Sequence, residues 1–164
     1  MKKCRRRLVW CALWMAVIFL FSAQTSERSR EVSEAVVDRV VSDQQVQSDT
    51  DPSDERGPER KIDRELLHTV VRKCAHLGEY AVLSMLFAYA FWDSDLPRKA
   101  KWLLPPLLSS LYAVTDEVHQ YFVPGRACRP VDMAIDACGA VLGMCLFAAL
   151  AWIWRKIKEQ KACC

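Results

Sequence analysis

Two short runs of this chain hold the residues best suited to chemistry. "HLGEY" sets His76 and Glu79 three residues apart, and "TDEVHQ" sets Asp116 and His119 three apart with Glu117 and Gln120 beside them. Residues at that spacing share one face of a helix, and carboxylate–histidine pairs on facing helices build carboxylate-bridged metal sites. Asp132 and Asp136, one helical turn apart, would add further oxygens. One chemistry open to this set is a divalent transition metal held by His119, Asp116, His76 and Glu79, with His119 as its first ligand. Without a metal, His119 would serve as general acid or base. The candidate catalytic residues are thus Asp116, Glu117, His119, His76, Glu79, Asp132 and Asp136. Beside them stand Arg72, Lys73, Arg126 and Arg129, whose charge and donor geometry suit an anionic head group. Gln120, Ser22, Gln24 and Tyr80 complete the candidate binding set with Arg72, Lys73 and Arg126. Such a set would serve hydrolysis or group transfer on a phosphate-bearing lipid. The same residues also read as a buried ion-pair and hydrogen-bond network that fixes helix register, or as a noncatalytic lipid-binding site.

These residues need elements to hold them, and composition points to the kind. The 164 residues are 52% hydrophobic and also 26% charged, a combination that requires segregation of the two classes. Four stretches have the length and apolarity of membrane spans: residues 8–23, 74–92, 102–122 and 131–154. The expected fold class is therefore all-α, a polytopic bundle of four transmembrane helices forming one domain over 1–164. A long, partly disordered outer insertion at about 25–60 separates the first two spans, and its middle, "SDQQVQSDTDPSDERGPER", is too polar and Pro- and Gly-broken to fold alone. Val32, Ala35, Val36, Arg39 and Val40 are spaced for a surface helix in that insertion. A helix resumes near Glu59, with Ile62, Leu66, Thr69 and Val70 on one face. Pro105 and Pro106 are expected to kink the third helix or delay its start. Gly139 and Gly143 suit close helix packing, and Trp10, Trp92, Trp102, Tyr121, Trp152 and Trp154 mark the interfaces. The first stretch, ending in "FSAQ", could instead be a cleaved signal peptide.

Basic residues set the expected orientation. They crowd the N-terminus ("KKCRRR"), the link holding Arg98, Lys99 and Lys101, and the tail from Arg155 to Lys161. The positive-inside rule then puts both termini in the cytoplasm. On that topology every ionisable residue within the spans falls in the outer leaflet, with Ser22 and Gln24 at the same level, and the lower halves of the helices read as a plain apolar floor. Confinement of charge to one leaflet disfavours a transport path. The net charge of +3 lends no support to nucleic-acid binding. No stretch outside the spans could bury a core for a soluble catalytic domain. The eight cysteines show no CxxC spacing, and Cys11, Cys74, Cys138 and Cys145 read as small apolar fillers within spans, leaving Cys128 as an outer thiol. His68 reads as a surface residue.

"FSAQ" closing the first span, "RKCAHLGEYAVLSMLF" opening the second and "YAVTDEVHQYFVPGRACRPVDMAIDACGAVLG" joining the third to the fourth resemble the VanZ family of small bacterial membrane proteins. Its specific elements here are "TDExHQxFxPGR" and "DxxxDxxGxxxG". The resemblance implies that the first span is retained. It further implies a cytoplasmic-membrane protein of the cell envelope, related to a founding member that confers low-level resistance to the glycopeptide teicoplanin. It names no settled reaction. The partners that the residue set and the spans point to are membrane lipids and a lipid-linked envelope precursor or polymer.

Overall fold

A computed structural model describes residues 2–23, 34, 35, 39, 64–123 and 130–162. Among these residues the protein is all-helical, with four long helices and no strand. They are α1 (Lys2–Ser22), α2 (Arg64–Phe91), α3 (Arg98–Tyr121) and α4 (Pro130–Ala162). Glu34, Ala35 and Arg39 are helical as well. The rest of the expected surface helix and the polar insertion lie outside the described residues. So do Gln24, Arg126, Cys128 and Arg129.

Two helices are long and apolar enough to cross a membrane, over Leu66–Phe91 and Pro130–Lys161. The others differ in composition. α1 is apolar only from Leu8 onward, because its first turns are lysine and arginine. α3 carries Pro105, Pro106, Ser109, Ser110, Asp116 and Glu117 along its length. It begins at Arg98 and runs without a break through both prolines, so they do not delay its start. Pro105 and Pro106 are the eighth and ninth residues of the helix, so the Lys101 and Trp102 carbonyls lose their i+4 donors there, and the Ser109 hydroxyl donates to the Pro105 carbonyl at 2.9 Å.

α2 is the hub of the bundle and packs against the other three helices, most extensively against α4. The α2–α4 seam is parallel and close to backbone contact. A Cβ built on Gly139 would strike the Leu77 carbonyl, its carbon 3.0 Å away, and one on Gly143 would strike the Ala81 carbonyl, its carbon 2.7 Å away. The expected small-residue packing is thus realised, and α2 is its partner. α1 runs antiparallel to α2 and parallel to α3. The Trp14 indole donates to the Glu79 carbonyl (2.9 Å), and the Tyr112 hydroxyl donates to the Met15 carbonyl (2.7 Å). An apolar core of Cys11, Ile18, Leu83, Phe87, Ala90 and Ala113, with the Tyr80 ring, fills the space between these three helices.

One end of the bundle is basic. Arg7 pairs with Asp93 (2.8 Å), donates to the Tyr89 carbonyl (2.9 Å) and lies 4.0 Å from the centre of the Tyr89 ring. Lys101 donates to the Trp92 carbonyl (3.0 Å), and the Ser94 backbone and hydroxyl both donate to the Phe91 carbonyl, so the exposed carbonyls ending α2 are satisfied. The start of α1, the end of α2 and the start of α3 therefore meet at one level, beside Phe147 of α4, which packs edge-on against Trp92.

On α3 the outward face is apolar and the inward face largely polar. The exposed stripe is Leu103, Leu107, Leu111, Val114, Val118 and Tyr121, while the buried stripe is Pro105, Ser109, Ala113, Asp116, Glu117 and Gln120. A helix of a water-soluble protein shows the opposite pattern. All six aromatics expected at interfaces are exposed. Two expectations change. The floor is not purely apolar, since Ser84 and Ser109 are buried in it. Of the four intraspan cysteines only Cys11 fills the core, whereas Cys74, Cys138 and Cys145 are exposed, because the bundle turns those faces of α2 and α4 outward.

Candidate functional site

The end of the bundle opposite the basic one is where the acidic residues gather. Helix direction explains it. α1 and α3 arrive there with their C-terminal turns, while α2 and α4 pass through it with their N-terminal halves. Asp132 sits in the first turn of α4, where a carboxylate complements the positive end of the helix dipole. It pairs with Lys73 of α2 at 3.5 Å, and both side chains are partly exposed, forming a rim. Arg72 is exposed at the same level.

One turn further in, the close approach of α2 and α4 brings His76 to Asp136. The His76 Nδ1 atom lies 3.8 Å from Asp136 and 3.9 Å from Glu79, so the imidazole stands between two carboxylates from different helices. Asp136 is only 1% exposed. Its charge is felt together with those of Glu117, Asp116, Asp132 and Glu79, all facing the same space. From α3, Asp116 and Glu117 enter at 3% and 2% exposure, and the buried Gln120 amide donates to one Asp116 oxygen at 3.0 Å. Tyr80 is fully buried, with its hydroxyl facing Asp116 and Asp136. Ser22 is buried at the last turn of α1.

His119 goes elsewhere. Its ring packs at a tilt of 32° against Phe19 of α1, centroids 4.5 Å apart. The four residues expected to share a metal are thereby split. His76 and Glu79 face Asp136, Asp116 is held by Gln120, and His119 is turned onto α1. Among the described residues no three His, Cys, Asp or Glu side chains come together in a way that could hold a metal ion. The donor set does not fit a metal centre, and the chemistry open to it is proton transfer and the binding of polar groups.

Most of the expected residues do converge: His76, Glu79, Tyr80, Asp116, Glu117, Gln120 and Asp136 inside, Lys73 and Asp132 at the rim. Gln24 and Arg126 lie outside the described residues. His68, expected at the surface, is half-buried with its Nδ1 atom shielded. Sequence reasoning missed Trp14 and Tyr112, which bind helix carbonyls behind the cluster. Their signal was two ring donors inside apolar stretches, where a buried N–H or O–H needs a partner.

No curated protein and no solved structure matches the chain. The VanZ/LLP1 family model matches residues 7–154, a stretch that takes in the body of every helix and both motifs that build this acidic cluster, and the chain belongs to that family.

Proposed function

We propose that all four helices span the cytoplasmic membrane, basic end inside, and that the acidic cluster is an outward-facing site for the head group of a phosphate-bearing envelope lipid. The observation that carries this is the inverted pattern of α3, apolar outward and acidic inward, at the end opposite the lysines and arginines. Family membership and the two long apolar helices support a membrane location. Carboxylates at that depth are expensive, and they persist where they face protein, water or a ligand for a purpose.

In this reading Lys73 and Arg72 receive the phosphate at the rim. His76, between Asp136 and Glu79, replaces His119 as the acid–base group, since the two carboxyl groups from different helices orient its ring. Attack of water or an alcohol on phosphorus would form a P–O bond and break the ester P–O bond. The proton released by the attacking oxygen goes to a carboxylate, and His76 supplies the proton needed by the leaving oxygen. The envelope consequence is altered exposure of lipid-linked material, with glycopeptide susceptibility, teicoplanin included, as its readout.

A second reading is favoured by the Lys73–Asp132 pair and the His76–Asp136 contact, which tie α2 to α4 whatever else they do. There the cluster is a noncatalytic register lock. Lipid profiling and teicoplanin susceptibility of cells carrying Asp136→Asn, or the double change Lys73→Gln with Asp132→Asn, separate the two. The head-group reading expects normal protein level and lost phenotype for both. A register lock expects reduced level for Asp136→Asn and recovery of function in the double variant, since removing both partners of a pair strands no charge.

A further inference from the structure

Resting on the head-group reading above, we propose that the cluster takes an ethanolamine-type phospholipid, with its ammonium among Asp116, Asp136 and Tyr80 and its phosphate at Lys73. The inner layer holds more acceptor oxygens than its few donors reach. Among the described residues, one oxygen each of Asp116 and Asp136, the Tyr80 hydroxyl and the Ser22 hydroxyl are sealed from solvent with no hydrogen-bond partner within 3.5 Å, Tyr80 standing beside Asp116 and His76 Nδ1 at 3.8 Å from Asp136. Each belongs to a side chain that is more than nine-tenths buried. Buried polar atoms left unpaired are costly, so they mark a place where a further group belongs. Carboxylate oxygens can only accept, and what is missing is a donor, preferably cationic. A phosphate there would meet a cluster of carboxyl groups and bring only further acceptors to it. An ammonium brings three N–H groups and a positive charge.

The rim has the opposite preference. Lys73 stands one helical turn before His76 on α2, as Asp132 stands one turn before Asp136 on α4, and a turn rises about 5.4 Å. A phosphate joined to an ammonium through two carbons spans that step. The head group would then lie along the bundle axis, ammonium inward and phosphate at the rim, with its acyl chains against the apolar exterior. Quaternary choline has the charge but no N–H, so it leaves the oxygens unpaired. A glycerol head group has hydroxyl donors but no positive charge, and a serine head group adds a carboxylate to the cluster.

The test is lipid retention by the full-length protein in detergent, read by native mass spectrometry against phosphatidylethanolamine, its mono- and dimethyl forms, phosphatidylcholine and phosphatidylglycerol. Expected is retention of the ethanolamine lipid about tenfold or more over choline and glycerol lipids, falling with each methyl added. Asp116→Asn and Tyr80→Phe should erase that preference, and Lys73→Gln should weaken all phospholipids alike. Equal retention of ethanolamine and choline lipids would overturn the proposal, as would a preference that survives Asp116→Asn. Soluble glycerophosphoethanolamine should compete only in large excess, and competition as strong as the lipid's would make the ligand a free solute instead. If Arg126 supplies the missing donor, Arg126→Gln lowers thermal stability and lipid identity changes nothing, which also defeats the proposal. Binding in detergent depends on neither sidedness nor turnover. Selectivity in a protein of the wrong topology would defeat the proposed function alone, and its absence in a correctly oriented, active protein would defeat this inference alone.

Discussion

His76 and His119 occupy the same kind of sequence position, each three residues from a carboxylate, yet their surroundings separate them. His76 faces two carboxylates from two helices, and His119 lies on the Phe19 ring. The consequence is measurable. His76→Gln should abolish the envelope phenotype while the protein accumulates normally. His119→Leu keeps an apolar side chain against Phe19, and it should cost only about 0.5–1.5 kcal/mol, the worth of a ring pair, and leave the phenotype standing. Susceptibility and protein level measured for both variants decide which histidine matters. Loss of phenotype from His119→Leu with His76→Gln unaffected would return the acid–base role to His119.

At the scale of the helix, the α2–α4 seam is what aligns the cluster. Gly139 follows Asp136 by three residues, and its contact with Leu77 sets how near Asp136 comes to His76. Gly139→Ala or Gly143→Ala must push the two backbones apart, because carbonyl atoms occupy the space a methyl needs. Overpacking of this kind costs about 1–3 kcal/mol. Both variants should melt lower in detergent, and Gly139→Ala should also reduce activity through the displaced Asp136. Gly78 is the control on the neighbouring helix. A Cβ there meets nothing within 4 Å, so Gly78→Ala should be neutral or stabilising, by up to about 1 kcal/mol from helix propensity. A Gly143→Ala protein as stable as the parent would mean that the seam is looser than this geometry.

For the whole molecule, the decisive quantity is sidedness. Arg7, Asp93 and Lys101 gather at one end of the bundle and Lys73, Asp132 and Asp136 at the other. With the basic end cytoplasmic, a reporter fused after Lys161 should be active only inside the cell, and one inserted near Asp54 only outside. Mature protein beginning near Gln24 would replace the first span with a signal peptide. It would also remove the Trp14 and Met15 ties to α2 and α3. The Arg7–Asp93 pair is partly exposed, and its removal should change stability by no more than about 1 kcal/mol. Its role is to hold the start of α1 at the level where α2 ends.

Periodicity, charge placement and the two family motifs were enough to determine the helices, the family and the pooling of acidic residues at one level. These are local properties, written at helical spacing within single segments. The motif "TDEVHQ" made its wall legible because Asp116, Glu117 and Gln120 lie on one inward stripe of α3. What a side chain meets across a gap is not local. That His119 turns to Phe19, that His76 belongs with Asp136, and that Cys74, Cys138 and Cys145 face outward follow from which helices touch and at what rotation. Only tertiary packing decided that. The start of α3 ahead of its prolines had the same origin, since packing against α2 and α4 holds a helix that propensity alone would break. The four residues expected to share a metal are split for a related reason. Spacing brings a histidine and a carboxylate onto one face of one helix, but convergence of two such faces depends on the crossing of α2 with α3, and the glycine seam gives α2's histidine to α4 instead.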